Sequence, residues 1–172
     1  MKILEPLFID VIEKLLRCEV EFMLIGGYAV NYYGYGRYTG DMDFWLKPTN
    51  ENKLKFLETL KLLGRNAEDI AELKKYDFTQ AQVIAIGELP LRIDFLTKVN
   101  LVSFDEAWEK KNFLPINNFQ LPVIEYNQLI QTKINTGRSK DKLDIEALQK
   151  IHHQVKENKV LSFFKRIIHP KK

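Results

Sequence analysis

The feature that most constrains this chain is a run of four apolar residues closed by two glycines, Phe22-Met23-Leu24-Ile25-Gly26-Gly27, and followed by the alternating segment Asp41-Met42-Asp43-Phe44-Trp45-Leu46. A short continuous apolar run suits a strand buried on both faces. The glycine pair then lets the backbone turn tightly into a helix starting at Tyr28-Ala29-Val30. Gly34, Gly36 and Gly40 stop that helix. In the next segment successive strand side chains face opposite sides, so Met42, Phe44 and Leu46 share one face while Asp41, Asp43 and Trp45 share the other. Two carboxylates therefore project from one side of one strand.

The rest of the chain continues in the same α/β style. Leu7, Phe8, Val11, Ile12, Leu15 and Leu16 have helical spacing from about Glu5 to Cys18, and Glu19-Val20-Glu21 ends the pattern. Asn50 is expected to cap a helix through about Leu63 with Leu54, Leu57, Leu60 and Leu63 near one face, and a weaker helical pattern covers Asn66 to Lys75. Val83–Ile86 predicts a strand, Gly87-Glu88-Leu89-Pro90 its turn, and Leu91–Phe95 the next strand, with Arg92 and Asp94 facing away from the core. Asp94 can pair locally with Arg92; if its strand neighbours that of Asp41 and Asp43, three carboxylates converge. From Val123 the pattern is helical, with Leu129, Ile130 and Ile134 in one helix, a break at Thr136-Gly137-Arg138-Ser139, and Leu143, Ile145, Leu148 and Ile151 in the next. The expected fold class is α+β: a small mixed sheet flanked by helices over residues 1–122, and a C-terminal helical part over 123–172, packed as one compact unit.

With Gly26-Gly27 opening a helix, Asp41-Met42-Asp43 on a strand and Asp94 on a later one, the chain resembles the minimal nucleotidyltransferases of the polymerase-beta-like superfamily. Within it the string Arg37-Tyr38-Thr39-Gly40-Asp41-Met42-Asp43, the later Lys133, and Lys140-Asp141-Lys142-Leu143-Asp144 look most like the stand-alone bacterial branch that includes AbiEii-type toxins. The resemblance spans roughly Phe22 to Leu148. It implies the nucleotidyltransferase fold and transfer of a nucleoside monophosphate from an NTP to an acceptor hydroxyl on a tRNA, a protein or a small molecule. It also implies a possible place as the toxin beside a cognate antitoxin or regulator. The competing reading is a non-catalytic module of the same fold acting through a protein partner. The chain departs from many such relatives in carrying Gly27 where they have serine, whose hydroxyl can contact phosphate.

The chemistry has its own logic. Hard divalent cations, Mg2+ or Mn2+, take carboxylate oxygens, and a metal pair can both neutralise a triphosphate and lower the pKa of an attacking hydroxyl. Asp41 and Asp43 are the expected ligands of the nucleotide-side metal, with Asp94 completing the second site and helping to deprotonate the acceptor. Gly26 and Gly27 would let phosphates approach backbone N–H groups. Lys133 follows Leu129 by four residues and Ile130 by three, so it lies beside an apolar face where an ammonium needs a partner. Asp141 and Asp144 fall on the inward face with Ile145 and Leu148. Lys133 can bind phosphate with those acids orienting it, or all three can form a structural ion pair. Arg37 is either a phosphate ligand or a solvated loop residue, and Arg138 and Lys140 are further candidates for facing substrate.

Composition excludes other classes. With 172 residues, 45% of them apolar and 28% charged, the chain suits one globular unit rather than a disordered one. A net charge of +3 permits an acidic partner without the charge density of a dedicated nucleic-acid protein. A single cysteine, Cys18, rules out an internal disulfide and is expected to be a buried thiol. There is no leader pattern and no long apolar run, so no membrane span and a cytoplasmic location are expected. His152, His153 and His169 lack carboxylate or cysteine at ligand spacing, which argues against zinc. Val160–Ile168 forms a basic amphipathic pattern expected to pack on the core, and Tyr28, Tyr32, Tyr33 and Tyr35 are expected to pack rather than stack on a base.

Overall fold

The computed structural model describes residues 5–168. In chain order the elements are α1 (Pro6–Arg17), β1 (Phe22–Ile25), α2 (Gly26–Tyr32), β2 (Asp41–Leu46), α3 (Asn50–Leu62), α4 (Ala67–Lys74), β3 (Val83–Ile86), β4 (Arg92–Leu96), α5 (Phe104–Lys110), β5 (Asn112–Ile116), β6 (Phe119–Val123), α6 (Tyr126–Lys133) and α7 (Ser139–Ile168). The fold is α+β, as expected, around a mixed six-stranded sheet in the order β3-β4-β2-β1-β6-β5. β2 runs parallel to β4 and antiparallel to β1, and β1 runs parallel to β6.

The apolar face of β2 and β4 carries the core. Phe44 packs edge-on to Phe22 at 5.3 Å and stacks with Phe95 at 5.8 Å, and Phe56 of α3 reaches Phe95 at 4.8 Å. Full burial of a phenylalanine contributes about 1.5–3 kcal/mol, so this aromatic cluster is a main source of cohesion between α3 and the sheet. The inward face of α3 differs from the leucine spacing: Phe56, Leu57 and Leu60 are buried while Leu54 is exposed. Buried Asn52 sets that rotation by accepting from the Glu21 N–H (2.9 Å) and donating to the carbonyls of Glu21 (2.9 Å) and Lys47 (3.2 Å). The cap of α3 is Thr49, whose hydroxyl accepts from the Asn52 N–H, not Asn50.

The opposite face is less open than alternation alone suggests. Trp45, on the side of Asp41 and Asp43, is fully buried: its indole N–H donates to the Thr97 carbonyl at 3.1 Å and its ring meets Phe104 of α5 at 5.2 Å. The segment that supplies α5, β5 and β6 has no equivalent among the sequence expectations. Ile134, expected inside a helix, lies in extended backbone just past α6, and Leu143 on α7 faces solvent. Cys18 is half-buried against the core rather than enclosed. The tyrosines pack: Tyr33 donates to the Ile124 carbonyl at 2.7 Å and meets Tyr32 and Tyr126 edge-on. His152 stacks on Tyr126 at 4.4 Å. Among the described residues no helix is long and apolar enough to cross a membrane. Residues 160–168 continue α7, while the packing expected of their side chains, like His169, lies outside the described residues.

Candidate active site

Parallel pairing of β2 with β4 sets Asp43 opposite Asp94 and Asp41 opposite Arg92. Neighbouring strands lie about 4.8 Å apart, so acids in register on one face stand side by side. One carboxylate oxygen from each of Asp41, Asp43 and Asp94 lies within 4.8 Å of the other two, and among the described residues this is the one acidic, histidine or cysteine cluster of such geometry. The donor set is three hard anionic oxygens, which fits Mg2+ or Mn2+ and does not favour a softer ion. Burial pushes the Asp43 carboxyl up to about 6, and the negative charges of Asp41 and Asp94 add to the shift; the Gly27 N–H and Lys133 offset only part of it.

The two glycines form the bed on which these acids rest. Gly26 has φ +62°, and a Cβ there would lie 1.9 Å from Asp43 Oδ2. A Cβ on Gly27 would lie 2.3 Å from Thr39 Oγ1. Thr39 thus fills the space that any side chain at position 27 would need, and its hydroxyl donates to Asp41 Oδ1 at 3.0 Å. A serine at position 27 would require Thr39 to shift. Asp94, for its part, accepts from Arg92 Nε at 2.7 Å, so the local pairing and the convergence of three acids occur together.

A second, largely buried network closes the C-terminal side. Lys133 at the end of α6 places Nζ 2.7 Å from Asp141 Oδ1 and 2.9 Å from Asp144 Oδ2 on α7. Asp141 also accepts from the Thr136 hydroxyl at 2.8 Å. Asp144, with no exposed surface, receives Arg37 Nε at 2.5 Å and Nη2 at 2.8 Å, while Arg37 Nη1 donates to the Tyr38 carbonyl at 3.2 Å. The Asn31 side chain of α2 clasps the Arg37 backbone through both N–H and carbonyl at 3.0 Å. Arg37 is therefore neither solvated nor uncommitted. Burial alone would raise the Asp144 carboxyl, but hydrogen bonds from Arg37 and Lys133 outweigh it and hold the group below the usual carboxylate range.

One cleft joins the triad, the glycine turn and the basic residues Lys133, Arg138 and Lys140. Arg37, Asp141 and Thr39 also line it, whereas the Asp144 carboxylate stands behind Lys133 and Arg37. Thr39 was missed as a site residue, although a hydroxyl two positions before Asp41 on an extended stretch is a visible signal. Tyr38, by contrast with the packed tyrosines, is 80% exposed beside Gly40.

A family model described as a nucleotidyl transferase of unknown function (DUF2204) matches residues 6–170. No curated protein matches the sequence. A similar solved structure is that of the lincosamide antibiotic adenylyltransferase LnuA bound to lincomycin, 16% identical, aligned over 87% of this chain and 98% of that one with a TM-score of 0.49. So distant a likeness bears on no residue of the cleft.

Proposed function

Since the chain belongs to the DUF2204 family of nucleotidyl transferases of unknown function, we propose that it moves a nucleoside monophosphate from an NTP to an acceptor hydroxyl, using divalent metal held by Asp41, Asp43 and Asp94. The observation that carries this reading is the parallel register that brings Asp94 beside Asp43 at the mouth of a cleft floored by glycine and flanked by cations. In-line attack of the acceptor oxygen on the α-phosphorus would form one P–O bond and break another, releasing pyrophosphate. Bound Mg2+ or Mn2+ would neutralise the phosphates and acidify the attacking hydroxyl.

The protein's own groups would do the rest. The missing Cβ atoms of Gly26 and Gly27 make room for the Asp43 carboxylate and the Thr39 side chain, so the glycine turn seats the acids in the cleft where the phosphates would lie. An ammonium has three donors, and Lys133 directs two of them at Asp141 and Asp144, leaving one for a phosphate oxygen in the cleft. Arg37 commits three of its five N–H donors to Asp144 and Tyr38, holding Asp144 and, through it, Lys133, and keeps two donors for a phosphate in the cleft it lines. Arg138 and Lys140 are exposed at the cleft and suited to the outer phosphates. The acceptor can be a tRNA end, a protein hydroxyl or a small molecule, and the Arg37–Asp43 string supports an AbiEii-type toxin role with a cognate antitoxin.

The test is thermal stability of the purified protein with each NTP, with and without Mg2+, beside Asp41→Asn/Asp43→Asn. Ligand bound only by the native state raises Tm by mass action. A rise that needs both NTP and metal and disappears in the double variant supports the reading. No rise with any NTP overturns it in favour of a binding module.

A further inference from the structure

The triad already contains a cation. Arg92 Nε lies 2.7 Å from Asp94 Oδ1, with side-chain exposures of 42% and 15%, and the β2–β4 register sets Arg92 directly across from Asp41 on the same face. A guanidinium so placed engages one of the two Asp94 oxygens and repels any divalent ion approaching the acids. A structural ion pair needs no such location, since exposed pairs contribute little to stability. Position also matters. Asp94 and Leu96 of β4 line the cleft, whereas Arg92, two residues before Asp94 on the same strand, does not. Arg92 thus stands at the edge of the cleft, 42% exposed, with room to swing toward solvent.

Resting on the metal-dependent reading above, we propose that Arg92 is a displaceable counter-ion that keeps the triad's own affinity for divalent cations low, so that metal loads together with the nucleotide. Phosphate oxygens add the negative charge that draws the ion in, and the guanidinium gives up Asp94 Oδ1 as it enters.

The experiment is Mn2+ binding to the nucleotide-free full chain, measured by electron paramagnetic resonance for wild type, Arg92→Gln and Arg92→Lys, with melting temperatures with and without Mn2+. Arg92→Gln should bind Mn2+ about tenfold more tightly, show a lower Tm without metal and a larger rise with it, and Arg92→Lys should stay near wild type. Equal or weaker Mn2+ binding by Arg92→Gln, or a Tm loss that metal does not restore, overturns the proposal while leaving the nucleotidyl-transfer reading intact. Failure of every form to bind Mn2+, alone or with NTP, overturns both.

Discussion

Arg37 and Asp144 meet in a two-point ion pair, Nε to Oδ1 at 2.5 Å and Nη2 to Oδ2 at 2.8 Å, across 107 positions of sequence. The pair ties the loop that leads into β2 to the first turns of α7, so the strand bearing two acids is fixed to the helix whose Asp141 and Asp144 pair with Lys133 of α6.

Breaking that pair from one side should be costly. Arg37→Ala leaves a fully buried carboxylate with Lys133 as its remaining cation, and removing one partner of a buried pair typically costs about 3–5 kcal/mol. Replacing both, as Arg37→Met/Asp144→Leu, should cost less than the single change. Because Asp144 is held below its ordinary range, its contribution is present at neutral pH and lost as pH falls through that lowered value. Urea denaturation at neutral and acid pH checks both statements.

Lys133→Ala should reduce stability by a similar amount and also raise the NTP concentration needed for half-maximal stabilisation, since Lys133 has two buried acids to satisfy and also lines the cleft. Lys133→Ala/Asp141→Asn separates the two effects. It should regain stability through loss of the unpaired charge without regaining nucleotide binding. Recovery of both would assign Lys133 to structure alone.

Asp43→Asn should lower transfer on the order of a hundredfold or more while stabilising the metal-free protein. The native Asp43 carboxyl titrates near 6 against an ordinary 3.8, so its ionisation costs the folded state increasingly as pH rises between those values, and the full cost is present above them. The variant should therefore melt higher than wild type at pH 7.5, by roughly 1–3 kcal/mol in stability, with the advantage gone below pH about 4. The converse holds for metal: Mn2+ must displace that proton, so its stabilising effect on wild type should shrink as pH falls through about 6.

Gly27→Ala should destabilise by about 1–3 kcal/mol through collision with Thr39, and adding Thr39→Gly should recover much of it. Thr39→Val keeps the volume but removes the hydroxyl from Asp41, so it should fold normally and bind Mn2+ several-fold more weakly. A melting curve and a Mn2+ titration on each variant suffice. Additive, non-compensating effects of the two changes would show that the apparent interlock is not what excludes a side chain at position 27.

Much of this layout was legible beforehand because local patterns carried it. The Phe22–Ile25 run, the glycine turn and the two alternating acidic strands each have a short-range signature, and they lie where the periodicities put them. Residues 104–123 gave no such signal. β5 and β6 contain Pro115 and Pro122 and alternate poorly, and they owe their strand character to pairing with each other and with Leu24. The partners of Lys133 followed from helical spacing, whereas the partner of Arg37 did not, since only tertiary packing brings Asp144 to it. Leu54 was misjudged because buried Asn52, a polar residue that leucine counting ignores, sets the rotation of α3.

The match of Asp43 with Asp94 has a consequence for how the molecule comes to be. Both belong to backbone ladders, so the spacing of the acids is dictated by main-chain pairing, and a slip of β4 by one residue would turn Asp94 into the apolar layer. β2 and β4 are parallel and separated by two helices and another strand, which makes their pairing a long loop closure and a slow one to form. No hairpin-sized stretch of the sequence contains all three acids, since α3, α4 and β3 lie between β2 and β4. During synthesis the acidic triad should remain unassembled until the sheet is joined across that gap, so that any chemistry it performs arrives only as the fold is completed.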